Sequence, residues 1–237
     1  MKRLTKRMMR GLRGLLRLLL GIVLCYLSVL LVFRWVPIPT SAFIYHQNAL
    51  HREKPNVYSA AKYEWVDWDD IPPALALAVI TAEDQRFPNH WGVDTIELRH
   101  AIRDMRAGKA VRGASTITQQ VAKNLFLWNG RSYIRKGAEF LISFSLELVW
   151  SKQRILEVYL NIAQFAPVTF GAKSASKVLF DKPLVALTPE ECAMLAAVLP
   201  TPAKSNANNP SKTLQKRHAW ILEHMEKLGG VSYLDKL

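Results

Sequence analysis

Two adjacent carboxylates, Glu83 and Asp84, close an apolar run and are followed by Phe87, His90 and Gly92 in Glu-Asp-Gln-Arg-Phe-Pro-Asn-His-Trp-Gly. A carboxyl beside a buried helix end is partly desolvated, which disfavours its charge, raises its pKa and suits it to proton transfer. Taken alone, the pair also fits a solvated helix exit, since charged side chains mostly stay exposed. A second group is Arg112-Gly113-Ala-Ser115-Thr116-Ile-Thr-Gln119-Gln120-Val-Ala-Lys123-Asn124. Thr116 followed three residues later by Gln119 is a capping-box pattern, so a helix starts here. Its N-terminus offers backbone N–H groups to an anion, and Thr116, Gln120 and Lys123 share one face. Such a stripe suits sugar hydroxyls and phosphate, or else an ordinary capped surface helix. In a third group Arg131, Arg135 and Glu139 recur every four residues with Lys136 beside them. That is either a surface ion-pair stripe or a set of cations for a diphosphate. A fourth, Lys152 to Asn161, is amphipathic and reads mostly as scaffold.

The elements that must carry these groups are mainly helical. Pro72-Pro73 opens a helix over Ala74–Glu83 that is apolar nearly all round and therefore buried. Helical spacing also predicts Thr95–Ala107, Thr116–Trp128, Arg131–Trp150, Lys152–Ala163, Pro189–Leu199 and 212–228, the last ended by Gly229-Gly230. Met105–Ala114, with two glycines and several basic residues, is the expected mobile loop. No alternating strand pattern and no repeat is evident.

The formal net charge of +13 is concentrated at one end: residues 1–17 carry seven basic side chains and no acidic one. They run into Leu18–Phe33, sixteen residues without a charge. Leu15–Trp35 supplies the roughly 20 apolar residues of a spanning helix if Arg17 and Arg34 snorkel. A basic flank stays cytoplasmic, so the rest of the chain is expected outside the cytoplasm. The run is too long, and followed by too poor a cleavage site at Thr40-Ser41-Ala42, for a removed signal peptide. The expected organisation is a cytoplasmic basic tail (1–14), a transmembrane anchor (15–36), an extended connector (37–70) and a catalytic domain (71–237). Cys25 and Cys192 read as packing residues, with no framework disulfide. The six histidines lack paired metal spacing, so no metal site is assigned. The charge is too diffuse, and no motif present, for nucleic-acid binding.

Together the four blocks resemble the monofunctional biosynthetic peptidoglycan transglycosylases, members of glycosyltransferase family 51. The resemblance covers nearly everything from Pro37 to about Gly230. It rests on E-D-x-x-F-x-x-H-x-G, G-A-S-T-I-T-Q-Q-x-x-K-N and R-K-x-x-E in that order and spacing. It implies a mainly α, lysozyme-like domain with a small membrane-proximal lobe, anchored by one helix in the bacterial inner membrane and facing the periplasm. It implies glycan polymerisation from lipid II, with the growing strand held on its lipid diphosphate. By match, Glu83 is the general base, taking the proton of the acceptor's 4-hydroxyl while the diphosphate leaves with inversion. Lys123, Arg131, Arg135 and Lys136 would hold the diphosphate, and Glu139 would be the second essential carboxylate. Asp84, Phe87, His90, Gly92, Ser115, Thr116, Gln119, Gln120 and Asn124 would line the cleft. No cofactor is obligatory, though a divalent cation, magnesium or manganese, is admitted. Besides lipid II and the membrane, other cell-wall synthesis or division proteins are admitted as partners.

One segment departs from the family pattern. Ala166-Pro167-Val168 stands where a glycine-rich run ending in Phe-Gly is usual. The nearest rival chemistry is a lysozyme-like muramidase, since a carboxylate pair can also cleave glycans. The cationic stripe speaks for transfer, because hydrolysis has no diphosphate to stabilise. A non-enzymatic scaffold of the division machinery would need neither Glu83 nor Glu139. Ser174-Ala-Ser-Lys177 matches the S-x-x-K of penicillin-binding transpeptidases, but lacks their K-T-G and S-x-N partners.

Overall fold

The computed structural model describes residues 2–108, 115–130 and 132–237, which divide into two compact units, Met1–Pro37 and Ile38–Leu237. The first is one helix, α1 (Lys2–Val32), which runs through both the basic residues and the apolar stretch. Its Gly11–Val32 stretch has a mean hydropathy of 2.6, long and apolar enough to cross a membrane. At 1.5 Å per residue it extends about 33 Å, close to the ~30 Å of a hydrocarbon core.

The second unit is mainly α, as the periodicity requires. At its centre lies α3 (Pro73–Glu83), started by Pro73, with every residue from Leu75 to Thr81 buried. Such a helix must be covered on all sides, and it packs against α9 (Pro189–Val198) and α10 (Lys212–Lys227). Beside it α5 (Ile117–Phe126) packs against α6 (Tyr133–Val149) and α7 (Lys152–Ile162). All of α7 from Arg154 to Ile162 is buried. The helix α4 (Thr95–Arg106) begins at Asp94, whose carboxylate accepts from the N–H groups of Ile96 and Glu97 at 2.9 and 3.1 Å. Of the expected loop Met105–Ala114, residues 109–114 lie outside the described residues.

Three features depart from the expectations. Residues 37–70 are not an extended connector: they contain α2 (Ala42–Glu53), capped by Ser41 and packed on α5, and residues 38–70 belong to the same compact unit as residues 71–237. Only Ile44 of α2 is buried, so its sequence carries little apolar periodicity to reveal it. A small sheet is present, ordered β1 (Lys62–Tyr63), β3 (Thr169–Phe170), β2 (Gln164–Ala166). Strands of two or three residues are too short to show alternation. An eighth helix, α8 (Ala172–Phe180), follows Gly171, where no helix was predicted.

The departure at Ala166-Pro167-Val168 is the turn of this sheet. Asp181 is the one non-glycine residue with positive φ among the described residues, so Val168 makes the turn without left-handed backbone. The Gln164 amide ties it by donating to the carbonyls of Ala166 and Pro167 at 3.0 and 2.7 Å. The glycine that geometry does require is Gly171, at φ +80°, where a Cβ would lie 2.5 Å from the Asn161 carbonyl oxygen. Asn161 in turn exchanges two hydrogen bonds with the Val66 backbone, at 2.7 and 2.8 Å. On α8, Ser174 is buried and Lys177 pairs with Glu64 at 2.8 Å, so the two do not form a nucleophile–base arrangement.

Candidate active site

Glu83 is the last residue of α3. One carboxylate oxygen accepts from the Gln120 amide at 2.8 Å, and the other from the Arg217 guanidinium at 3.0 Å. Its side chain is 14% exposed. Burial raises its pKa, with the Gln120 hydrogen bond and the Arg217 charge opposing and Asp84 adding to the rise. The group therefore remains reachable yet holds a proton more readily than an ordinary glutamate.

Asp84 has a different task. It accepts from His90 Nε2 at 2.9 and 3.0 Å and from the backbone N–H of Ile117 at 3.0 Å. The anion at the N-terminus of α5 is thus the chain's own Asp84, not a ligand. The rest of that terminus is also closed. Thr116 and Gln119 form the capping box, and the Thr116 hydroxyl donates to the Gly92 carbonyl at 2.6 Å. Phe87 is wholly buried, with the Lys152 ammonium 4.5 Å from its ring centre. Gly92, at φ +70°, has the Ser143 carbonyl oxygen 3.2 Å from where a Cβ would sit. The structure therefore uses Asp84, Phe87, His90, Gly92, Thr116 and Gln119 as buried braces of the first and second motifs, where the resemblance had them lining a cleft.

The cations gather around Glu139, which is 3% exposed. Arg135 donates to one of its oxygens at 2.7 Å and Lys136 to the other; Lys136 also donates to Ser115 at 3.3 Å. This is a buried acceptor held by two cations, not a surface pair. Lys123 joins the same field. Its pKa is lowered by burial first and by Arg135 and Lys136 next, while Glu139 opposes. Its ammonium lies 5.2 Å from the ring centre of Phe43 on α2. Asn124, next on α5, is half-buried. Arg131, Arg112 and Gly113 lie outside the described residues. Helix α5 links the two groups, because Gln120 reaches Glu83 and Lys123, three residues on, reaches the cations.

Sequence reasoning missed Arg217 and Glu147, and read Tyr159 and Lys152, in the fourth block, as scaffold. Arg217 sits between Leu214 and Ile221, on the stripe by which α10 buries Leu214, Ile221 and Met225. A cation in a core-facing register was the available signal. Tyr159 is 1% exposed and donates to Gln120 at 3.1 Å. Glu147 accepts from Gly92, Thr118 and Lys152 at 3.0, 2.6 and 2.7 Å, joining α5, α6 and α7 under the first motif. Nothing in the spacing of Glu147 marks it.

A family model described as Transglycosylase matches residues 48–226. The chain is 50% identical over 206 residues to the biosynthetic peptidoglycan transglycosylase of Mannheimia succiniciproducens, covering 87% of this chain and 84% of that one. It is 45% identical over 223 residues to the protein of that name from Pectobacterium atrosepticum, covering 94% and 91%. To the one from Klebsiella oxytoca it is 46% identical over 223 residues, covering 94% and 92%. With the motif blocks carried on the expected mainly α frame, the chain belongs to the transglycosylase family, alongside these biosynthetic peptidoglycan transglycosylases.

Proposed function

We propose that this peptidoglycan transglycosylase builds glycan strands for the cell wall from lipid II. Glu83 takes the proton of the acceptor sugar's 4-hydroxyl as that oxygen bonds to the donor's anomeric carbon. The bond to the lipid diphosphate breaks, with inversion at that carbon. The observation that carries the reading is the Glu83 carboxylate. It is mostly buried, reachable, raised in pKa and held at both oxygens by fixed donors.

Charge develops on the departing diphosphate, and fixed cations in a partly dry cleft stabilise it without reorganising. Lys123, Arg135 and Lys136 present three positive charges against the one carboxylate of Glu139. That excess favours an anion, and a hydrolase acting on finished glycan would have no use for it. Arg131 is assigned to the same group by its place in the motif. Glu139 does not fit a divalent cation, because both of its oxygens are already held by cationic donors. Asp84, His90 and Asp94 come together with ligand atoms within 4.8 Å, but the two carboxylates are committed to Ile117, Ile96, Glu97, Arg86 and His90.

The apolar α1 anchors the chain in the bacterial inner membrane, with the basic residues inside the cell and Ile38–Leu237 on the periplasmic side. The decisive experiment incubates detergent-purified full chain with labelled lipid II. Polymer that lysozyme digests is expected. Its absence, or cleavage of added glycan instead, overturns the reading.

A further inference from the structure

Glu83 is held by Gln120 from the second motif and by Arg217, which no motif of the sequence contains. From α10, Arg217 Nη2 donates to Glu83 Oε1 at 3.0 Å and to the carbonyl of Ala82 at 3.2 Å. Both acceptors lie at the C-terminus of α3. There the unpaired carbonyls concentrate partial negative charge, an unfavourable place for a carboxylate. The charges acting on Glu83 are Arg217, which favours ionisation, and Asp84, which opposes it. The neighbours on other elements are neutral: Gln120 from α5 and Tyr159 from α7. On α9, which packs on α3, Glu190 in the first turn is exposed and Glu191 pairs with Lys182 at 2.6 Å. From the closing 3-10 segment Gly230–Lys236, the Tyr233 hydroxyl donates to the Gln85 carbonyl at 2.7 Å.

The second oxygen of Glu83 is fixed from α5 and α7. Tyr159 donates to Gln120 Oε1 at 3.1 Å, so the Gln120 amide has one orientation, with its N–H toward Glu83 Oε2 at 2.8 Å. Each carboxylate oxygen thus receives one donor and keeps a lone pair for the incoming proton. Arg217 is a poor device for stability alone. Its Nε–H is buried without a protein partner among the described residues, which costs free energy that an apolar residue in the same stripe would not.

Resting on the assignment of Glu83 as base, we propose that Arg217 is a positioning residue for the reaction, aiming and charging the Glu83 carboxylate from α10, with Tyr159 completing the clamp through Gln120. The chemistry stays with Glu83; Arg217 acts through it. A base must be held within a fraction of an ångström of its working geometry, and a clamp on both oxygens supplies that.

The test is the pH dependence of lipid II polymerisation by full chain in detergent, for R217Q, R217K, Y159F and E83Q, with thermal midpoints. Arg217 holds the Glu83 pKa down, so its loss raises it. R217Q should move the acid limb of kcat upward by about one pH unit and lower turnover at neutral pH. R217K should keep the limb in place and still lose kcat several-fold at unchanged KM, because an ammonium lacks the planar fork. Y159F should lower kcat without moving the limb. An unmoved limb in R217Q overturns the proposal even if turnover and stability both fall. If R217Q fails to fold, wild-type kcat in R217K overturns it. Full activity in E83Q would instead remove the base assignment itself, whereas inactive E83Q with an unmoved R217Q limb sinks only the role of Arg217.

Discussion

Glu83 and Asp84 are joined by one peptide bond and share no side-chain partner. Glu83 accepts from Gln120 and Arg217, whereas Asp84 accepts from His90 and from the backbone N–H of Ile117. Two carboxylates in one dipeptide thus take two environments: one ties the first motif to the start of α5, and the other, the proposed base, stays reachable.

The raised pKa of Glu83 has opposite consequences for stability and for activity. Its folded state binds the proton more tightly than its unfolded state does. Its contribution to stability is therefore full below the unfolded pKa and is lost as pH rises through the folded value. Activity needs the ionised base and falls as pH drops through that same folded value. Glu83→Gln should lose about 10²–10⁴-fold in polymerisation rate while its thermal midpoint at about pH 8 stays level with wild type or rises. A rate above about a tenth of wild type would exclude the base role.

Lys123 is a half-buried ammonium beside two other cations, so removing it should cost little stability. Its loss from catalysis should be large, at about 3–4 kcal/mol of barrier for one fixed electrostatic group. Initial polymerisation rates for Lys123→Ala and Arg131→Ala are expected to fall by about a hundred-fold or more. Arg131→Lys should also impair, since it keeps charge but loses the bidentate fork. Rates within about threefold of wild type for both alanine variants would remove the diphosphate role.

Glu139→Gln should lower turnover and the thermal midpoint together. Its buried carboxylate accepts from both Arg135 and Lys136, and an amide cannot offset two cations. Leaving buried charge uncompensated costs about 3–5 kcal/mol. A variant as stable and as active as wild type would show that Glu139 is a dispensable partner.

Gly171→Ala is expected to be destabilising outside any catalytic role. The new Cβ would meet the Asn161 carbonyl oxygen at 2.5 Å, at a φ of +80° that alanine rarely adopts. Displaced backbone would strain the junction of α7, β3 and α8, costing on the order of 2 kcal/mol or more. Thermal unfolding measures it, and an unchanged midpoint would contradict the close approach.

The one-sided basic flank of α1 predicts orientation. A reporter active only outside the cytoplasm, fused after Leu237, should be active, and residues 1–20 should persist in the mature protein. A mature terminus near Ser41 would show that the apolar segment is removed.

Most helices were legible because a helix is a local object. The burial of α3 follows from an apolar run with Pro73 at its start, and α5 is announced by Thr116 and Gln119. Where the local signal is thin, reading stopped. The single buried residue of α2 and the two-residue strands leave no period to detect, and they form because neighbours cover them. The motifs carried the residue types of the candidate site, and with them the family. What tertiary structure alone decided is which of those residues stay reachable. The same Glu-Asp and Thr-Ile-Thr-Gln-Gln runs are split between a reachable Glu83 with its amide partner and a set of buried braces. It also brought Arg217, 134 positions away, onto Glu83. Spacing along a helix tells which side chains share a face. What that face meets depends on packing between distant segments, so the proton affinity of Glu83 is set by α5 and α10 as much as by the motif that contains it.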